Sequence, residues 1–415
     1  MAAHLAPLGI VPRRRAGAVA DSLCIPQNRR RDTYAKYVLM YGGYYFAFAM
    51  FCSLISVYLK DKGLSAARVS LIVSASYLIS MLVQPFIGGL LDRGSKKRVT
   101  IVLLALCAAT GVAFVLSASF PWMLIFYGLT VALWYAANPY FETAATVSRY
   151  SYRSIRIWGT LGYAVGTQVA GLLYDGVSPD AMYYLFAVML LLSIAGVRDA
   201  QEMGEARPKA VRTPQQAQDY RKTVLTNKRL LIYLVIAALF YASGNLSYTY
   251  LPLFFQQQGL SVSVTSTVLF IAALMELLVI FFSSAYMNRF TSKQLLLAVF
   301  LSLIAQYAVY AFAPWIAVQI VVTLLLKAAS TMVFIMLNLK IISAIVPHAY
   351  QMSALMLVSS LSRSLVSAVV QLFGGKVLDD LSFQALYAML CARAVLGLLV
   401  SAMARFPKGE NEVTF

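Results

Sequence analysis

Charge is what this chain has least of. Lys, Arg, Asp and Glu make up 12% of its 415 residues, about half the share in a soluble globular protein, while hydrophobic residues make up 60%. A single core of this size cannot enclose so much apolar surface, so a soluble fold is excluded and much of the exterior must face hydrocarbon. Histidine occurs twice, as His4 near the N-terminus and His348 in a polar break. Cysteine occurs four times, as Cys24, Cys52, Cys107 and Cys391, never in a CxxC pair. A histidine metal centre, a Ser-His-Asp triad and a disulfide framework therefore lack their parts. No nucleophile motif or phosphate loop is visible either, which argues against an enzyme and calls for no cofactor beyond an ion gradient.

The charge that is present is lopsided: 34 basic residues against 16 acidic ones, a formal +18. In a soluble protein such an excess points to nucleic acid. Here Lys and Arg fall in the short breaks between apolar runs, with no basic stripe interleaved with exposed aromatics, so the partner expected is a lipid bilayer and not a nucleic acid.

A helix needs about 20 apolar residues to cross the roughly 30 Å hydrocarbon core. By that measure the chain divides into runs at 37–59, 69–91, 99–118, 122–146, 155–174 and 181–197, then 230–253, 263–287, 294–312, 315–345, 351–374 and 384–405. The breaks and run ends on one side, with both terminal segments, hold 27 Lys and Arg, and those on the other side hold four. Positive residues stay inside, so both termini are expected in the cytoplasm. The fold expected is all-α and integral to the cytoplasmic membrane, with twelve transmembrane helices in two six-helix bundles. Residues 1–35 read as a disordered basic tail, 36–197 as the N-terminal bundle, 198–229 as a cytoplasmic linker, 230–405 as the C-terminal bundle and 406–415 as a second tail. The first tail is expected to stay on or to be an extended start, because its arginine clusters follow its apolar stretch, the reverse of the order in a cleaved signal. Two bundles around a central cavity are the layout of a carrier whose halves rock about a midplane site. A degenerate repeat supports the duplication: Asp92-Arg93-Gly94-Ser95-Lys96-Lys97 has its counterpart in Asn288-Arg289-Phe290-Thr291-Ser292-Lys293.

The segment Gly88-x-x-x-Asp92-Arg93-Gly94-Ser95-Lys96-Lys97-Arg98 resembles the loop signature of the major facilitator superfamily. The resemblance implies a cytoplasmic gate of Gly88, Asp92, Arg93 and Lys97; ordinary positive-inside residues plus a turn glycine are the plainer reading. Further stretches are similar to the lactose permease family of oligosaccharide:proton symporters. These are Gln84-Pro85-x-x-Gly88, Pro139-x-x-Glu142, Arg156-x-x-Gly159-x-x-Gly162-Tyr163-Ala164, Met275-Glu276-Leu277-Leu278 and Gly375-x-x-x-Asp379-x-x-Ser382-Phe383-Gln384. Their order and spacing agree over nearly the whole chain after the tail. Members commonly work as monomers, which is the state the resemblance implies.

Ionisable side chains within the bilayer cost at least about 2.5–3.5 kcal/mol each on insertion scales, so each must be paired, hydrated or used. Within the runs, with Lys340 and Arg405 toward their ends set aside, the acids are Glu142 and Glu276 and the bases Arg156, Lys327, Arg363 and Arg393. Glu142 and Arg156 face each other across one loop, as a structural ion pair or, by the resemblance, as the acceptor and donor for sugar hydroxyls. A carboxylate accepting and a guanidinium donating as a fork suit a polyol. Tyr163, two turns beyond Arg156, falls where the family has a stacking tryptophan; a packing role is the alternative. Gly159, Gly162 and Gly166 read as helix contacts. Glu276 lies near mid-membrane, and the resemblance gives it substrate recognition and coupling.

The departures concern coupling. Lys327 stands in place of the family histidine, Ser330 in place of its protonated glutamate, and Asn245 and Tyr248 where aspartates are expected. Arg363 keeps a basic position without that acidic partner. The expected substrate contacts are thus Glu142, Arg156, Tyr163, Glu276 and Asn245, with coupling through Glu276, Lys327 and Arg363. The leading expectation is a proton-coupled carrier of a small polar solute, a sugar or oligosaccharide. A carrier of organic anions or amphipathic compounds accounts for the surplus cations, and a non-transporting sensor on a transporter fold is a third reading.

Overall fold

The computed structural model describes residues 33–93, 95–148, 150–199, 226–347 and 350–404. Residues 1–32, 200–225 and 405–415, with His348, lie outside them, as do the side chains of Asp92 and Arg93. The expectations for the two tails, for most of the linker and for two of the four gate residues fall there.

Regular structure among the described residues is helical throughout. The long helices are α1 (Tyr34–Asp61), interrupted at Ser53 and Leu54, α2 (Ala66–Arg93), α3 (Lys96–Leu116), α4 (Phe120–Val147), α5 (Tyr152–Gly176), α6 (Ala181–Asp199), α7 (Lys228–Gln257), α8 (Val262–Phe281), α9 (Ser292–Phe312), α10 (Ile316–Ile345), α11 (Ala354–Asp380) and α12 (Phe383–Met403). Eleven of them are long and apolar enough to cross a membrane. The exception is α5, whose 25 residues reach about 37 Å at 1.5 Å per residue but include Arg156, Thr160, Thr167 and Gln168. The polar breaks supply the starts: Ser95, Ser151, Asn227, Ser261 and Ser382 each accept from a first-turn amide, and Thr291 with Gln294 closes a reciprocal capping box.

The duplication shows in how helices end. Gly63 and Gly259 both hold a positive φ, 81° and 92°, which only glycine adopts without strain. Leu64 N–H donates to the Leu59 carbonyl and Leu260 N–H to the Phe255 carbonyl, each at 3.1 Å, the same Schellman closure. Each glycine is followed by Leu-Ser and a new helix.

Within α1–α6, α1 packs against α5 and α6, and α4 against α2 and α3; within α7–α12, α9 packs against α12 and α7 against α11. The halves meet along α5 with α8 and α2 with α11. The hydrogen bonds across this boundary gather toward one end. Asp379 at the end of α11 accepts from Ala66 N–H at 2.7 Å and Ala67 N–H at 2.8 Å, on the first turn of α2. Asp175 at the end of α5 accepts from Ser263 N–H at 2.7 Å and Ser263 Oγ–H at 2.6 Å, on the first turn of α8. Four residues before each aspartate is a glycine: a methyl group on Gly171 would lie 3.0 Å from the Val262 carbonyl, and one on Gly375 would lie 2.6 Å from the Ala66 carbonyl. One latch, Gly-x-x-x-Asp against a helix start, therefore occurs twice. At the opposite end Gly88 and Gly89 have nothing within 4 Å of where a Cβ would sit. We call these the closed end and the open end.

Candidate functional site

Glu142 and Arg156 lie on the open side of α4 and α5, with side chains 34% and 40% exposed, and their charged atoms stand 3.8 Å apart. The pair is built into a tyrosine cluster. Tyr41 donates to Glu142 Oε1 at 2.7 Å, Tyr45 to the same oxygen at 3.3 Å, and Tyr152 to Oε2 at 2.7 Å. The Arg156 guanidinium lies over the Tyr45 ring at 5.1 Å and near the Tyr41 ring at 5.8 Å, within cation–π range. Asn138 donates to the Tyr45 hydroxyl at 3.3 Å. Tyr41 and Tyr45 are one turn apart on α1 and so share a face. They reach α5 because Gly162 lets the helices touch: a methyl there would sit 3.0 Å from the Gly42 Cα.

From Tyr45 an aromatic wall runs inward along α1 and α4. Trp134 stacks on Phe48 with centroids 3.8 Å apart, and Tyr135 stands edge-on to Trp134 at 5.1 Å. Beyond it, the Tyr163 and Tyr248 hydroxyls bond to each other across the halves. Tyr163, expected as a stacking platform or a packing residue, ties α5 to α7 through this bond. Its ring centroid is 6.4 Å from that of Phe48.

The opposite wall carries the cations. Arg363 is exposed, and its guanidinium stands 5.9 Å from the Tyr135 ring of α4 and 6.0 Å from the Tyr241 ring of α7. Both Lys327 and Arg363 fall on π-helical stretches, Thr323–Lys327 of α10 and Val358–Leu365 of α11, a winding that recurs at functional positions. Asn245, expected to touch substrate, donates to the Arg363 carbonyl at 3.3 Å and to Ser367 Oγ at 2.9 Å, so it holds the backbone of that stretch. Glu276 on α8 is half-buried with Lys327 as its charged neighbour; among the described residues it forms no ion pair within 4.0 Å. Ser330 is buried and donates to the Lys327 carbonyl at 3.2 Å. Arg393 donates to Ser243 at 3.3 Å and so joins α12 to α7.

The arrangement brings Glu142 and Arg156 together and sets Glu276, Lys327 and Arg363 on the facing half. Sequence reasoning passed over Tyr41, Tyr45, Asn138, Tyr135, Tyr152 and Tyr241. The signal for the first two was the spacing Tyr37, Tyr41, Tyr44, Tyr45 in a single apolar run.

Comparison with known proteins agrees with this architecture. The chain is 25% identical over 377 residues to the uncharacterized transporter YwbF of Bacillus subtilis (strain 168), covering 87% of this chain and 91% of that one. It is 26% identical over 371 residues to the maltose permease of Geobacillus stearothermophilus, covering 87% and 92%. Among solved structures, the nucleoside transporter NupG superposes with a TM-score of 0.76 at 15% identity over 89% of this chain and 98% of that one. The model of the MFS_1 like family matches residues 36–389, and the chain belongs to that family: it is a multi-pass membrane transporter of the major facilitator type.

Proposed function

We propose that the protein carries a sugar or oligosaccharide across the cytoplasmic membrane by alternating access, together with protons, and acts as a monomer. The observation that carries this reading is the Glu142, Arg156 and tyrosine cluster at the open end. There acceptor, forked donor and aromatic rings converge as a polyol requires, and a maltose permease is among the relatives. In this reading α5 is the twelfth crossing, its polar residues turned toward the other helices, and both termini are cytoplasmic. The open end is then the cytoplasmic one, since it carries the basic loops, and the described state faces inward. Glu276 with Lys327 is the coupling pair, and Asp92, Arg93 and Lys97 close the inner face in the alternate state.

The test is uptake into proteoliposomes of neutral sugars, acidic sugars and organic acids, with and without an inward proton gradient. We expect gradient-driven sugar uptake, lost in Glu142→Gln and Arg156→Lys and uncoupled from the gradient in Glu276→Gln. Unchanged uptake in the first two variants would sink the site assignment.

A second reading, a carrier of organic anions, is favoured by one observation: Arg363 is exposed between the halves with no acidic partner among the described residues. In that case anions move and neutral sugars do not.

A further inference from the structure

Arg363 is poorly explained as a structural residue. A charge at this depth is costly unless compensated, and its surroundings compensate it incompletely. The rings of Tyr135 and Tyr241 offer cation–π contact at 5.9 and 6.0 Å, and no carboxylate lies beside it among the described residues. Each of the other charges has an opposite charge nearby: Glu142 is paired with Arg156, and Glu276 has Lys327 as its charged neighbour without a direct ion pair. Arg363 is the charge left over. It is nevertheless held with care. Its stretch of α11 is π-wound, Asn245 bonds its carbonyl, and the neighbouring Ser362 donates to the Leu234 carbonyl at 2.9 Å. Two hydrogen bonds from its neighbours thus fix the backbone of a residue that is itself exposed.

Position adds the second argument. Tyr45 lies under Arg156 and edge-on to Trp134, which is edge-on to Tyr135 beside Arg363, so one run of rings joins the two guanidinium groups. Tyr135 comes from one half and Tyr241 from the other, which places Arg363 at the seam that must part and close in each cycle.

We propose that Arg363 is a carboxylate anchor and that the transported solute is an acidic saccharide of the uronate type. Its hydroxyls engage Glu142 and Arg156, its ring lies along Tyr45, and its carboxylate takes the bidentate fork of Arg363. This rests on the saccharide reading above and narrows it to one charge class. Binding neutralises the leftover cation, so the occupied carrier is balanced where the empty one is not.

The experiment compares glucose, galactose and maltose with the matching uronic acids. Binding to the purified full-length transporter is read by isothermal titration, and exchange is followed in proteoliposomes. The expected result is tighter binding of uronates than of the parent sugars. Arg363→Gln should weaken uronate binding tenfold or more and parent-sugar binding far less, so that the preference is lost, and Arg363→Lys should retain part of the preference. Should Arg363→Gln fail to fold, the wild-type preference alone decides. Parent sugars bound as tightly as uronates would overturn the anchor and leave the saccharide reading standing; binding of neither class would overturn both.

Discussion

Asp379 caps the first turn of α2 in the way that Asp175 caps the first turn of α8: each carboxylate reaches from the last turn of a helix in one half to the amides that begin a helix in the other. Opposed to the positive end of a helix dipole, such a carboxylate contributes about 0.3–1 kcal/mol where exposed.

It follows that Asp175→Asn and Asp379→Asn each raise the population with the closed end parted about two- to fivefold, with the double variant near the product. The rate at which a membrane-impermeant maleimide labels a cysteine at the buried Ser70 reports this population. Equal rates in wild type and both variants would mean that the latch holds nothing.

The glycine spacing makes a second prediction at the packed face of α5. Gly162→Ala puts a methyl group 3.0 Å from the Gly42 Cα and carbonyl carbon and should cost about 1–3 kcal/mol, as overpacking does. Gly88→Ala enters open space and should change stability little. Thermal unfolding in detergent separates the two, and equal midpoints would contradict the contact.

Tyr163 and Tyr248 should behave as a pair. Tyr163→Phe and Tyr248→Phe each remove the same hydroxyl contact, so the double variant should lose less than the sum of the singles, with a coupling of about 0.5–1.5 kcal/mol in a double-mutant cycle. Strict additivity would count against the bond.

Tyr41 and Tyr152 both donate to Glu142 but differ in burial: Tyr41 is 0% exposed and Tyr152 43%. Tyr41→Phe should loosen the carboxylate and raise KM several-fold with little change in maximal rate. Tyr152→Phe should free an acceptor site and lower KM. Changes of the same sign in uptake kinetics would refute this division of labour.

Much of the helical layout is legible from hydropathy because the bilayer fixes a helix length. The first run, 37–59, lies inside Tyr34–Asp61, and the 294–312 run nearly coincides with Ser292–Phe312. The 263–287 run reads as one span, yet α8 ends at Phe281 and a separate turn, Ser283–Met287, follows. Composition does not show such a break, since Phe282 is as apolar as its neighbours. Glu142 and Arg156 stand out because isolated charges in apolar runs always do. Their tyrosine partners Tyr41 and Tyr45 do not, because an aromatic in a membrane helix carries no mark of what lies about a hundred positions away. The π-wound stretches around Lys327 and Arg363 are illegible for the same reason: Asn245, whose bond helps hold one of them, comes from another helix.

The three hydroxyls on Glu142 have a consequence for selectivity. A carboxylate offers about four acceptor positions, and three are already taken by Tyr41, Tyr45 and Tyr152. An arriving solute therefore exchanges with the protein's own phenols instead of filling a vacant site. A molecule with one hydroxyl gains nothing over the tyrosine it displaces, whereas a vicinal diol replaces one donor and fills the remaining position in the same event. The empty carrier thus holds its acceptor in the form that favours solutes with two adjacent hydroxyls over those with one.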